Sequence, residues 1–515
     1  MSKTTNTIIK NTGFLYIKMG ITVFFSLYTT RLILNALGVV DYGVFGIVGG
    51  TISMLGFLNS SMSGSTQRFI SYYLGKGKSE ELKAIFNNSI ILHALIAVVV
   101  VIFLELALYP LFNGVLNIPP ERQHAARDIY QFMIVSTFFT IISVPYDAVI
   151  NAHENMLYYA MVGVLESTFK LIIAIFVVYT IFDKLIIYGL LMSLLAVLLL
   201  MIKYVYCRRH YSECRTSLKR YYSYEQIREQ LYFAGWNFVG TTGALLGNNG
   251  GDIVMNHFFG PAINAAGSVG SQLRGQMMVF SNNMLKALNP VIIKKEGSGD
   301  HQSMMKFSIS GSKLSYLLFA VFAMPFVIEA PYILRVWLSN VPDWAVCFSR
   351  FQMLTGLGEQ LTITLGTALV AIGRIKNYNI FSGLAHFMPL FIYWFLYAND
   401  APPYWTYFIT FVNFVFVIGG YTIFLCEKEC GLEAKIYIRQ IICPSLLCTI
   451  VSLMIGFSVV CMIPESFTRL ILVVIATDLT FVLLFYRFLL SSEESGILKD
   501  MVLKVINRVN KRENE

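Results

Sequence analysis

Ionisable side chains inside long apolar runs are the residues of this sequence most able to do chemistry. At the centre of a membrane helix each costs about 2.5–3.5 kcal/mol on insertion scales, so it persists only by facing a cavity or a partner. The first run carries Lys18 and Arg31. Helical rise separates them by roughly 20 Å, so they serve different depths. Lys18 can snorkel toward one interface, and Arg31, beside Thr29, Thr30 and Asn35, lies toward the other. A later run holds Ser271, Gln272, Arg274, Gln276, Asn282, Asn283 and Lys286, too polar for lipid contact. An arginine among hydrogen-bonding neighbours suits phosphate or carboxylate, because its planar fork binds oxyanions bidentately. Arg68 closes the second run, where an interfacial role competes with a substrate role.

Between these lies a glycine-rich stretch, in which Gly243, Gly247 and Gly251 recur every fourth residue. That is the small-xxx-small spacing of closely packed helices. Asn248, Asn249 and Asp252 interrupt it, as expected of a bent helix that exposes polar groups to a cavity. Glu166 and Lys170 sit one helical turn apart and are expected to pair. Asp147, Glu166, Glu359 and Glu105 are further acids in apolar surroundings that would suit a coupling proton or sodium ion. His93 and His386 read as helix-packing histidines.

Enzyme motifs are missing. Gly75, Lys76, Gly77 and Lys78 form a basic turn without the Walker spacing, and His153-Glu154 lacks the second histidine of a zincin. No GxSxG or EF-hand pattern appears, and no metal site or cofactor is expected. The eight cysteines include no CxxC pair and read as small apolar filler.

The elements that must position these residues are membrane spans. Of 515 residues 56% are hydrophobic and 13% charged, about half the charged share of a soluble protein. Mean hydropathy is +0.63. Spanning takes ~20 apolar residues, and candidates cover 12–37, 43–69, 89–108, 129–150, 158–180, 185–206, 231–258 and 263–291. They continue over 314–338, 345–372, 378–397, 404–425, 441–462 and 470–490. The count is about fourteen. The net charge of +9 argues for topology rather than nucleic acid, since the basic residues fall in alternate short connections. One set holds Lys76, Lys78, Arg208, Arg209, Lys294, Lys295, Arg374 and Lys428; the other has little beyond Arg122, Arg127, Lys184 and Arg469. By the positive-inside rule both termini are cytoplasmic. The first run is too long for a signal peptide.

A shift of about 222 residues superposes Gly38 on Gly260, Gly75 on Gly297 and Gly77 on Gly299. A shift of about 220 pairs Ala148 with Ala368, Tyr158 with Tyr378, Gly163 with Gly383 and Glu166 with His386. Six spans separate the copies, so they share an orientation. The expected fold is all-α and polytopic, with two parallel six-helix lobes and a C-terminal helix pair. The boundaries are an N-lobe over 1–210, a basic linker over 211–230, a C-lobe over 231–430, the pair over 431–490 and a basic tail over 491–515. Substrate paths in such repeats run between the lobes. Arg31 and Asp252 fall within one residue of each other under the shift, which suggests a gate pair at equal depth.

Arg31, Gly38, Asp41, Tyr42 and Gly43 stand in the order of a signature after the first helix of polysaccharide transporters, which this run resembles. Gln67, Arg68 and Phe69, then Leu74, Gly75, Lys76 and Gly77, look like that family's close of helix two. It is part of the multidrug/oligosaccharidyl-lipid/polysaccharide (MOP) exporter superfamily. The resemblance covers nearly the whole chain. It implies a flippase in the bacterial inner membrane that moves undecaprenyl-diphosphate-linked oligosaccharide by alternating access. Lys18, Arg31, Arg68 and Arg274 would contact the diphosphate, with Asn248, Asn249, Gln272 and Asn282 completing the cavity. Membrane lipids, a polysaccharide polymerase and chain-length machinery would be its partners. The sequence departs from the pattern at 151–155, where a basic residue is missing; Arg374 keeps it in the second half. The alternative is an ion-coupled multidrug exporter of the same superfamily. Such a protein would show acids without several cavity arginines, with Asp252, Asp147, Glu166 and Glu359 serving H+ or Na+ coupling.

Overall fold

A backbone group left unpaired in hydrocarbon costs several kcal/mol, so runs this apolar must close their hydrogen bonds within each segment. The computed structural model, which describes residues 3–53, 56–115, 118–215, 217–338, 341–491 and 494–496, is accordingly all helix, with no strand among them. The basic tail from 497 onward lies outside the described residues. The first half comprises α1 (Lys3–Ser53), α2 (Gly56–Lys76), α3 (Ser79–Pro110), α4 (Gln123–Ala152), α5 (Met156–Tyr179) and α6 (Lys184–His210). A short α7 (Leu218–Tyr221) leads to α8 (Tyr224–Gly297), α9 (His301–Trp337), α10 (Ala345–Gln360) and α11 (Ile363–Ile372). Then come α12 (Lys376–Phe387), α13 (Pro389–Tyr397), α14 (Trp405–Val412), α15 (Gly419–Cys430), α16 (Ala434–Tyr437), α17 (Cys443–Met462) and α18 (Phe467–Phe488).

Among the described residues, ten helical segments are long and apolar enough to cross a membrane. The other expected spans are helical but more polar or interrupted. Expected span 12–37 lies within the long α1, 43–69 begins in α1 and continues through α2, and 231–258 and 263–291 share α8. Each long helix bends at one residue. Gly38 has φ 75° and ψ 171°, and Gly260 has φ 77° and ψ −179°, a region open essentially to glycine alone. Gly77 and Gly299, at φ 71° and 78°, follow the ends of α2 and α8. Two of the glycine pairs matched by the repeat, Gly38 with Gly260 and Gly77 with Gly299, thus hold the same positive-φ backbone.

Proline shapes α9 differently. Pro331 cannot donate to the Val327 carbonyl and crowds it, and the helix departs from regular geometry at Glu329. Arg350 takes over the freed acceptors: its Nε donates to Val327 O (2.8 Å) and a terminal nitrogen to Ile328 O (3.2 Å).

Buried side chains of α1 and α3–α6 form the core of the first half, and those of α8–α11 and α14–α18 supply a larger second core. The final helices join this second core: α18 packs on α9, and Arg469 grips Glu329 with two hydrogen bonds of 2.8 and 2.7 Å. Large apolar side chains such as Phe103, Leu106, Phe395 and Met454 remain exposed. A soluble monomer rarely shows so much apolar surface, and lipid is its natural solvent.

The halves meet where α1 begins and α2 and α8 end. A Cβ on Gly75 would strike the carbonyl of Lys294, and one on Gly297 would strike the carbonyl of Tyr72. Residues 72 and 294, like 75 and 297, are repeat mates, so this contact is reciprocal about a pseudo-twofold. Phe69, Tyr146, Phe233 and Ile375 pack beneath it. Glu154 binds Lys294 (3.0 Å), and its carbonyl accepts from Asn11 (2.8 Å).

Candidate functional site

One tyrosine carries two ammonium groups. Tyr159, near the start of α5, has Lys18 Nζ of α1 at 4.3 Å from its ring centroid and Lys286 Nζ of α8 at 3.8 Å. Lys286 also donates to the Tyr159 hydroxyl. Gly163, one turn beyond Tyr159, makes room: a Cβ there would collide with the end of the Lys18 side chain. Neither lysine has a carboxylate within ion-pair distance among the described residues. Asp147 acts on Lys286 at longer range, but its carboxylate is held by Lys203 at 2.7 Å. A π face offsets an ammonium by about 0.5–2 kcal/mol and leaves its charge in place. The cluster bridges the two halves and is net cationic, the arrangement that receives an oxyanion.

Each half also holds a polar cavity. In the first, about 240 Å³ is enclosed by α4, α5 and α6, with Ser143, Glu166, Lys170 and Lys203 on its wall. Its charges are spoken for, since Lys170 binds Glu166 at 2.6 Å as expected from their spacing. In the second, about 390 Å³ is lined by Gly247, Asp252, Ser271, Arg274, Gln352 and Tyr407. Arg274 pairs with Glu359 and lies 5.8 Å from the Phe414 ring, while its buried Nε has no partner. Asp252 has no ion pair among the described residues. Asn413 and Phe414 on the cavity wall open a π-helical segment, Asn413–Ile418, between α14 and α15. His386 also lines this cavity, with Nδ1 2.6 Å from the Ser382 carbonyl.

The structure distributes the expected site residues unevenly. Lys18 enters the cationic cluster, Arg274 and Asp252 line the second cavity, and Glu359 is tied to it through its pair with Arg274. Arg31 is exposed on α1 and forms no ion pair with Asp252, so the expected gate pair is absent from this conformation. Repeat-related positions share a depth, but a twofold sets them on different halves, and equal depth does not make two side chains face each other. Arg68 faces neither cavity. It is buried where the halves meet, donating to the carbonyls of Val370 (3.2 Å) and Ala371 (3.4 Å) and lying over Phe69, Tyr72 and Phe233. Asn249, Gln272 and Asn282 are exposed, and the side chain of Asn248 lies outside the described residues. Sequence reasoning missed Tyr159 and Lys203, and Lys286 was only one polar residue among several. The available signal was Gly163, whose small size opposite a lysine of α1 shows only once the helices are packed.

The MatE family model matches residues 17–180, less than half of the chain. No curated protein matches the sequence. Similar solved structures include an outward-facing multidrug resistance MATE family transporter of the MOP superfamily, at 13% identity and TM-score 0.71 over 84% of this chain and 96% of that one. The Vibrio cholerae MATE transporter VcmN in its bent form reaches 16% identity and TM-score 0.68 over 85% and 100%. A MOP superfamily transporter from Pyrococcus furiosus, described as having a binding pocket of reversed polarity suggesting a different function, reaches 12% and 0.69 over 84% and 96%. The chain therefore has a MATE-like fold and is a multi-pass membrane protein.

Proposed function

We propose that this protein is an alternating-access transporter whose substrate is a lipid-anchored oligosaccharide diphosphate. The observation that carries the reading is the Lys18–Tyr159–Lys286 cluster, where two ammonium groups meet across the halves with no acid between them. Asp147, Glu166 and Glu359 are each neutralised by a basic partner, so the surplus charge at the boundary is positive. An oxyanion there would bind both halves at once. The basic connections argue for cytoplasmic termini in a bacterial inner membrane, and the contacts of Gly75 with Lys294 and of Gly297 with Tyr72 then close the cytoplasmic side. A second reading, an ion-coupled exporter of organic cations, is favoured by the multidrug MATE neighbours and by Asp252 facing the second cavity without a basic partner.

Reconstituted protein with a fluorescent undecaprenyl-diphosphate oligosaccharide and an outer-leaflet reporter separates the two. A hydrogen bond to a charged group contributes about 1.5–3 kcal/mol, so Lys286→Gln should slow translocation roughly 10- to 150-fold. Asp252→Asn should spare it. Efflux of a cationic dye that fails in Asp252→Asn, with no movement of the lipid-linked sugar, would select the second reading.

A further inference from the structure

The halves share a fold but differ at one helix crossing. In the second half α8 meets α12 and α13 along glycines: Gly240 faces Asn379, Gly243 faces Gly383, Gly247 faces the His386 carbonyl and Gly250 faces Leu390. A Cβ at any of these would collide, with backbone at Gly243 and Gly247 and with side chains at Gly240 and Gly250, so the helices pack closely along the crossing. Shifted by about 222 residues, the four glycines fall on Lys18, Ile21, Phe25 and Tyr28 of α1. Asn379 and Gly383, shifted by about 220, fall on Tyr159 and Gly163 of α5. The first half has no small-residue stripe here, and beside the α1–α5 crossing lies a groove of about 500 Å³. Phe14, Ile17, Met161, Val164 and Phe169 are among its apolar walls, and Lys18 is its single charged wall residue. Ile17, Leu157, Met161 and Ile172 keep its outer rim exposed.

We propose that this groove holds the hydrocarbon chain of an anionic lipid whose phosphate binds Lys18 and Lys286 over Tyr159. The inference rests on the lipid-anchored substrate proposed above and specifies where its chain lies. Lys18 belongs both to the groove wall and to the cation cluster, so the chain site and the headgroup site adjoin through one side chain. From Leu157 to Ile172 the α5 wall runs roughly 22 Å, most of the ~30 Å hydrocarbon thickness. A chain lodged there stays in apolar surroundings while its headgroup enters the cationic boundary, so only the polar part has to exchange water for protein. The glycine-packed crossing at the equivalent position of the second half leaves no room for such a chain, so the two halves differ here.

The test uses the full chain in nanodiscs and a long-chain polyprenyl diphosphate carrying a photoreactive group on its chain. Crosslinks should concentrate on α1 near Phe14 and on α5 between Leu157 and Ile172. Unlabelled polyprenyl diphosphate should displace the probe at least tenfold better than the matching polyprenyl alcohol. Met161→Trp and Val164→Trp, which fill the groove, should each reduce labelling at least tenfold while inorganic pyrophosphate binding is retained. Labelling spread evenly over the lipid-facing helices, or equal displacement by the alcohol, would overturn the proposal. If labelling concentrates in the groove but wild-type protein moves no lipid-linked sugar, the transport reading fails and the groove stands. If translocation proceeds with even labelling, the groove fails alone.

Discussion

Adding a single methyl group at Gly75 or Gly297 should open the end of the molecule that is closed here. Each glycine lies against a carbonyl of the opposite half, Lys294 and Tyr72 respectively, nearer than a Cβ can approach. Both obstacles are backbone, so neither can rotate away. Overpacking of this kind costs about 1–3 kcal/mol, and the cost falls only on the conformation in which the halves touch. The closed-to-open ratio should therefore fall about 5- to 150-fold in Gly75→Ala or Gly297→Ala. The two contacts belong to one patch, so a separation that relieves the first relieves the second. The double variant should shift the equilibrium by less than the sum of the singles. Spin labels at Lys78→Cys and Ser298→Cys, with the eight native cysteines replaced, would report the separation by double electron–electron resonance. Distance distributions unchanged in both single variants would refute the reasoning, and full additivity would refute the shared patch.

Two further perturbations test the frame around the site. Arg469→Met strands Glu329, whose side chain is 1% exposed, and loss of one partner of a buried pair costs about 3–5 kcal/mol. Its Tm should fall clearly, and adding Glu329→Gln should restore at least half of the loss; an unchanged Tm in the single variant would show that the pair does not tie α18 to α9. At the start of α6, Arg122 binds Asp41 (2.7 and 2.6 Å) and Asp183 (2.7 and 3.1 Å), holding the Asp183 carboxyl below the usual carboxylate range. A depressed folded pKa stabilises above the unfolded value near 3.9, and that contribution is lost as pH falls through the folded value. Tm against pH should thus drop less steeply below about pH 4 in Asp183→Asn than in wild type. Asparagine still caps α6 as Asp183 does through Leu185 and Ile186, so parallel curves would count against the linkage.

What could be read from sequence alone was whatever depends on local chemistry. Runs of apolar residues dictate helices, and Gly38, Gly260, Gly77 and Gly299 mark the repeat because their backbone angles exclude side chains. The Glu166–Lys170 pair follows from helical spacing. Long-range facing was not legible. Arg68 reads from its own helix as either an interfacial or a substrate arginine, yet the carbonyls it serves lie about 300 residues away at the end of α11. Arg31 and Asp252 match in depth, but the twofold separates them. Lys18 and Lys286 have no sequence relation at all; they meet because Tyr159 and Gly163 present a ring and a gap on one face of α5.

The repeat is obeyed at one end and broken at the other, and the physical reasons differ. Where the halves touch, Gly75 and Gly297 meet repeat-related carbonyls, so the same stereochemistry constrains both copies. The charged contact there is minor by comparison: Lys294 is partly exposed beside Glu154, and such pairs contribute about 0.2–1 kcal/mol. Closure is thus set by backbone fit more than by charge, and salt should alter it far less than one methyl group does. At the α1–α5 crossing no backbone constraint repeats, and the first half carries Lys18 where the second has Gly240. Under the proposed alternating-access cycle, a contact that opens and closes needs two matching surfaces. The site proposed for one headgroup and one chain needs them to differ, and Lys18 stands at the position where they do.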